Sequence, residues 1–189
     1  QRSSRCVSAV MLTKGESLEL VSGFRPADGT VVDDTARPNH HSAMLWFLSD
    51  MTSLAQNDWF GYVNPEPLIP RENIQMLTDG LAQTTMNLFS PGDVVEMGST
   101  RDLGQALGAF GWYGTHAGNA DGEAAAAEYA NALAAEVEAN VDANGRISGG
   151  TENQAATQGA VAQGLVWASQ VDGVDHTDTA ESVLGYLLG

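Results

Sequence analysis

Positive charge is what this chain most lacks. Only eight of its 189 residues are Lys or Arg, and Lys14 is the one lysine; against them stand 24 carboxylates, for a net charge of −16. That balance repels phosphate backbones and excludes nucleic acid as a partner. Cysteine is limited to Cys6, so no internal disulfide forms, and Cys6 reads as a small buried apolar residue ahead of a reactive thiol. No apolar run reaches the roughly 18 residues that span a bilayer. No Asn-x-Ser/Thr glycosylation acceptor occurs either. A signal peptide is not visible, although a start at Gln1 is compatible with one having been removed. Phosphate-loop, Ser-His-Asp and Cys-His patterns are missing, as is a metal-ligand set of convincing spacing, and no cofactor is implied.

What is present is enough for one domain. At 43% hydrophobic residues the chain can bury a real core. Its carboxylates are scattered among periodic apolar positions, which marks an acid-coated folded surface and not a disordered tail. Together with abundant Ala, Gly, Asp and Thr, this surface resembles that of proteins from extreme halophiles.

Hydrophobic spacing predicts helices through most of the chain. Residues 39–56 place Met44, Phe47, Leu48, Met51, Leu54 and Ala55 three and four apart, with Leu45 and Trp46 widening the face. Pro65, Pro67 and Pro70 break the loop that follows. A second helix, 71–89, carries Ile74, Leu77, Leu81 and Leu88 and stops at Ser90-Pro91-Gly92. The third starts after Ser99-Thr100 and runs towards Gly114; the fourth spans 122–143, ended by Asn144-Gly145. Thr151-Glu152-Asn153-Gln154 reads as a capping box for a fifth, and Asp178 with Glu181 opens a sixth. The first 25 residues are ambiguous: Val7, Val10 and Met11 suit a helix, and "SLELV" alternates like a strand.

Three stretches echo one another: "DGTVVDDT" before the first helix, "GDVVEMGST" before the third and "NGRISGGT" before the fifth. Their glycines, Gly29, Gly92 and Gly145, bracket two helices at a time. The expected architecture is therefore all-α, with an N-terminal segment at 1–25 and a domain at 26–189. That domain would be about three consecutive antiparallel helical hairpins joined by short extended crossings.

Repeated hairpins of this length resemble the α/α-toroid group of glycoside hydrolases, polysaccharide lyases and sugar epimerases. Arg37-Pro38-Asn39-His40-His41-Ser42-Ala43 is similar to a helix-entry pattern in that group. A complete toroid has about twice as many hairpins, so the resemblance implies half a ring, or else a shorter helical repeat. The apolar ending "SVLGYLLG" fits a missing partner surface, either a second copy or the rest of a longer chain. A carbohydrate would be the ligand.

In such a ring the helix entrances line one end. That places Asp33, Asp34, Arg37, His40 and His41 near Glu96, Arg101 and Asp102, with Asp34 and Glu96 as the candidate acid and base of glycoside cleavage. The competing reading is that carboxylates near helix starts only favour the helix dipole and solvent. His40 and His41 point about 100° apart on a helix and cannot easily share a metal; one of them could orient a substrate hydroxyl. "VDGVDHTD" lacks calcium-loop spacing and reads as a polar turn with a cap.

In "GQALGAFGWYGTHAG", Gly104, Gly108 and Gly111 fall within a helix, where each costs about 1 kcal/mol relative to Ala. Close helix packing or close approach of a ligand must therefore need the missing side chains. Trp112, Tyr113 and His116 at that helix end, with Trp46, are the residues that would lie under a sugar ring, or else pack in the core. The alternative function is a non-catalytic helical-repeat module that docks with a partner.

Because the surface charge is so one-sided, screening should stabilise the fold. The melting temperature followed by circular dichroism is expected to be higher in molar salt than in dilute buffer. A melting temperature indifferent to salt would remove the salt-adaptation reading.

Overall fold

A computed structural model describes residues 18–59, 62 and 70–189. The expectations for Cys6, Val7, Val10 and Met11 and for Pro65 and Pro67 lie outside these residues. The described chain is predominantly α-helical, with seven helices and one two-stranded sheet. Strands β1 (Gly23–Arg25) and β2 (Thr30–Asp33) pair antiparallel, Phe24 opposite Val31. Helices follow at α1 (Pro38–Gln56), α2 (Arg71–Leu88), α3 (Pro91–Glu96) and α4 (Thr100–Gly114). The last three are α5 (Ala120–Glu138), α6 (Gln154–Ala168) and α7 (Thr177–Leu188). None of the described helices is long and apolar enough to cross a membrane.

Local chemistry sets most helix starts. Pro38 occupies the first turn of α1, and its ring keeps Arg37 extended just before it. Asn119 Oδ1 accepts the Gly122 N–H to open α5, with Asp121 and Glu123 complementing the helix dipole.

Four boundaries differ from expectation. The second of the three echoes is not an extended crossing but helix α3, because Ser90 and Asp93 form a reciprocal capping box around Pro91. α5 stops at Glu138, five residues early, because Val141 is drawn into a bridge with Ile147. α6 is capped by Asn153, whose Oδ1 accepts the Ala156 N–H, while the Thr151 hydroxyl bonds the Asn153 carbonyl. Finally, residues 18–21 of "SLELV" form no strand; Leu20 and Val21 are simply buried. The first and third echoes do share a shape: each is a tight turn whose glycine, Gly29 (φ 75°) or Gly145 (φ 80°), takes the left-handed conformation.

The core lies among α1, α2, α4, α5 and α6, with Leu45, Leu81, Leu103, Leu107, Phe110, Leu133 and Leu165 fully enclosed. α1 buries Leu45, Leu48, Ser49, Thr52 and Ala55, whereas Phe47 and Leu54 of the expected face are exposed. Serine and threonine are tolerated inside because their hydroxyls find carbonyls one turn back: Ser49 to Leu45, Thr78 to Ile74, Thr85 to Leu81. α4 is central, packing against α1, α5 and α6; α2 packs on α1, and α7 on α6.

α4 and α6 approach until their backbones touch. A Cβ on Gly104 would lie 2.5 Å from the Ala160 carbonyl carbon, and one on Gly111 2.5 Å from that of Trp167. From the other side, a Cβ on Gly164 would strike the Gly104 carbonyl oxygen. Helix packing is thus what Gly104 and Gly111 serve.

Two substitutions should change stability in opposite directions. Gly104→Ala gains helix propensity but overpacks a backbone contact, and it should lower unfolding free energy by about 1–3 kcal/mol. Gly159→Ala, on the other helix of that crossing, α6, but with nothing within 4 Å of the new methyl, should raise it by up to about 1 kcal/mol. Urea unfolding of both variants measures the pair.

Candidate functional site

Three tryptophans, one each from α1, α4 and α6, meet side by side. The Trp46 and Trp167 rings are 6.2 Å apart, and those of Trp112 and Trp167 4.7 Å apart, both edge to face. His116 extends the row, its ring 4.3 Å from Trp112. All four side chains are half-buried. Gly108 makes this possible: any side chain there would enter the Trp46 ring. The Trp112 Nε1–H is buried without an acceptor among the described residues. His116 donates from Nδ1 to the Trp112 carbonyl at 2.9 Å.

Neighbouring Tyr113 points about 100° away along the helix and belongs to the interior. It is 2% exposed, and its hydroxyl donates to Asp79 Oδ1 at 3.1 Å. Asp79 also accepts from Gln75 Nε2 and the Gly118 N–H, tying α2 to the turn between α4 and α5. Burial first, and the Asp79 carboxylate second, push the Tyr113 phenol well above its usual range, so it remains a neutral donor.

At the entrance to α1 the two adjacent histidines part company. His41 is fully buried; its Nε2 accepts the Leu20 N–H at 3.0 Å and its Nδ1 donates to the Arg37 carbonyl at 2.9 Å. Burial lowers its pKa, so the ring stays neutral with the proton on Nδ1. His40 is exposed and faces the Ser22 hydroxyl at 3.2 Å through Nδ1. Ser22 donates to the Thr35 carbonyl and accepts from Arg37 Nε at 3.0 Å. Arg37 also pairs with Asp33 at 3.4 Å, in an exposed contact that water and salt screen. The Thr35 N–H and hydroxyl hold the Asp33 carboxyl below the ordinary range.

Asp34, Glu96 and Arg101 are exposed: Asp34 between β2 and α1, Glu96 at the end of α3, and Arg101 in the first turn of α4. Among the described residues no hydrogen bond or shared partner joins Asp34 to Glu96. The fold therefore gathers Trp46, Trp112 and His116, links Arg37 to His40 through Ser22, and turns His41 and Tyr113 inward. Trp167 was missed because it sits off the apolar face formed by Val161, Leu165 and Ala168. Only its neighbours across the helices reveal it.

A shallow depression of about 300 Å³ lies elsewhere, lined by Glu138, Val141, Asp178, Thr179 and Ser182. Among the described residues no three His, Cys, Asp or Glu side chains converge as a metal site. No protein-family model, curated protein or solved structure matches the chain. What the site can do must then be argued from its own residues.

The buried state of His41 has a measurable sign. Its folded pKa lies below the ordinary value of 6.5, so the unfolded chain takes up this proton first as pH falls. The stability due to neutral His41 is complete above that value and drains away below it. Denaturant midpoints should fall on acidification below about pH 6.5, and less steeply in His41→Gln. Identical slopes in both proteins would deny His41 this part.

Proposed function

We propose that the chain is a carbohydrate-active protein of the α/α-toroid type, with α1–α2, α4–α5 and α6–α7 as three antiparallel hairpins of half a ring. The contacts within each pair support this reading. His41 meets Phe89 and Thr52 meets Thr78; Phe110 meets Tyr129 and Tyr113 approaches Gly122; Gln158 reaches Val183 and Ser169 reaches His176. In every case one number rises as the other falls. The first helices of the second and third pairs, α4 and α6, run side by side in one direction, since Gly104 and Gly111 cross Ala160 and Trp167 in order.

The observation that carries the function is the tryptophan row. Each first helix contributes one indole, and the three meet on the flank of α4 turned from the Phe110 and Tyr113 side that packs on α5. A flank so furnished suits the apolar face of a pyranose ring. In this reading Trp46, Trp112 and Trp167 stack on sugar, and Arg37, His40, Arg101 and His116 bond its hydroxyls. His41 and Tyr113 hold the helices in place from within. Asp34 and Glu96 divide the acid and base roles of glycoside cleavage.

A second reading, a non-catalytic module docking with a partner, is favoured by α7, where Leu184, Tyr186, Leu187 and Leu188 are all exposed. Turnover of a glycoside panel in concentrated salt separates the two. The enzyme reading expects activity in the parent and a fall of about 100-fold or more in Glu96→Gln and Asp34→Asn. It further expects Trp112→Ala to weaken sugar-dependent quenching of tryptophan fluorescence. Unchanged turnover would clear Glu96, and a parent inert towards every glycoside would favour the docking module.

A further inference from the structure

The turn between α6 and α7 is fastened to α5 by one side chain whose two ring nitrogens both face oxygen. His176 Nδ1 lies 3.1 Å from Glu138 Oε1, and Nε2 lies 3.0 Å from Asn131 Oδ1. Asn131 and Glu138 are seven residues apart on α5 and so present one face. The orientation of Asn131 is set independently, because its Nδ2 donates to the Gly173 carbonyl at 3.3 Å. A carboxylate oxygen and an amide oxygen can only accept. Neutral imidazole carries one N–H and would leave a lone pair aimed at one of them; imidazolium satisfies both.

We propose that His176 is a proton-dependent latch: doubly protonated, it holds the α6–α7 turn and the start of α7 against α5, and loss of one proton releases that grip.

The surroundings suit a cation. Glu138 faces the ring from α5 and also accepts from the Thr179 hydroxyl, at 3.2 Å. Asp175 is adjacent in the turn, its carboxyl held below the usual range by the Thr177 N–H and hydroxyl and also by His176. On α7, Asp178 lines the depression beside Glu138. α6 contributes the uncharged Ser169, whose hydroxyl accepts the His176 N–H. The Val141–Ile147 turn carries exposed Asp142 and Arg146, and Asp142 is taken up by the N–H groups of Asn144 and Arg146.

His176 is also the residue immediately before α7, a helix that buries only Ala180 and Val183. A helix so lightly held responds to the loss of one anchor. The bond pattern is complete with two protons and broken with one, so the latch loosens when rising pH removes a proton from the ring.

Imidazole nitrogen NMR of the intact chain at about pH 6 reads the ring directly. Protons on both His176 nitrogens are expected; a ring with one bare nitrogen in the folded protein would overturn the latch. Amide hydrogen exchange, corrected for intrinsic rates, supplies the consequence. Between about pH 6 and about pH 8.5, protection of the α7 amides relative to α4 should drop on the order of fivefold in the parent, the worth of one lost hydrogen bond. In His176→Gln and Asn131→Ala that drop should vanish. An equal drop in the parent and both variants would also refute the proposal, and the spectrum keeps it testable should either variant fold poorly.

Discussion

Where α4 crosses α6, Gly104 and Gly164 allow two helical backbones to meet with no side chain between them, and the remaining helices take their places from that crossing. Interhelical distances ordinarily span 8–10 Å because side chains intervene. Removing them increases dispersion contact and brings more of each helix within reach of its neighbours. Gly111 repeats the device two turns along, against Trp167 and Ala168. Gly108, between them, takes the Trp46 ring of α1 instead. A single helix with three glycines on one side thus seats two neighbours, and its other side, through Phe110 and Tyr113, packs on Tyr129 and the start of α5.

Close packing of this kind hides turns and helix ends that water would otherwise satisfy, and a few buried polar side chains supply the missing bonds. Gln158 is fully enclosed and makes four. Its Oε1 accepts from the Ile147 N–H and from Gln154, and its Nε2 donates to the carbonyls of Gly145 and Val183. His41 does the same for Leu20 and Arg37, and half-buried Asp79 gathers Tyr113, Gln75 and Gly118. Gln158 and His41 join segments distant in sequence, and removing either would leave the N–H of Ile147 or Leu20 buried and unpaired. His176 works in the same way at the surface, and there the proton count decides whether its bonds are complete.

The tryptophan row is a by-product of the glycine crossing as much as a site. Trp112 and Trp167 lie one step from the touching backbones, so drawing α4 and α6 together brings their indoles within 4.7 Å. Any ligand held there would meet a surface whose geometry is set by backbone contact. Preorganisation of that sort reduces the cost of ordering side chains on binding. Asp34 and Glu96, the carboxylates proposed as acid and base, stand differently, on exposed segments ahead of α1 and α4.

Helical character, the positions of α1, α2, α4 and α7 to within a few residues, and the turns at Gly29 and Gly145 were legible from periodicity and turn chemistry. So was the demand for close packing at Gly104 and Gly111, since glycine inside a helix is unfavourable without a reason. The face that α1 buries was not. Ser49 and Thr52 look like surface residues until carbonyl and hydroxyl partners are seen, while Phe47 looks like core and is exposed. α3 escaped because a proline-glycine pair signals a stop as readily as a start, and the Ser90–Asp93 cap decides between them.

For the site, Trp46, Trp112 and His116 were readable as aromatic candidates, but their meeting with Trp167 was not. Which of His40 and His41, and which of Trp112 and Tyr113, turns inward was equally hidden. Adjacent residues on a helix share a sequence neighbourhood and differ by 100° in direction, and which direction is inside depends on what the rest of the chain brings there. Local chemistry determined where helices and turns form, because propensity, capping and left-handed glycine act over a few residues. Tertiary structure alone decided which side chains are enclosed and which are shared between helices, because those contacts join positions tens of residues apart.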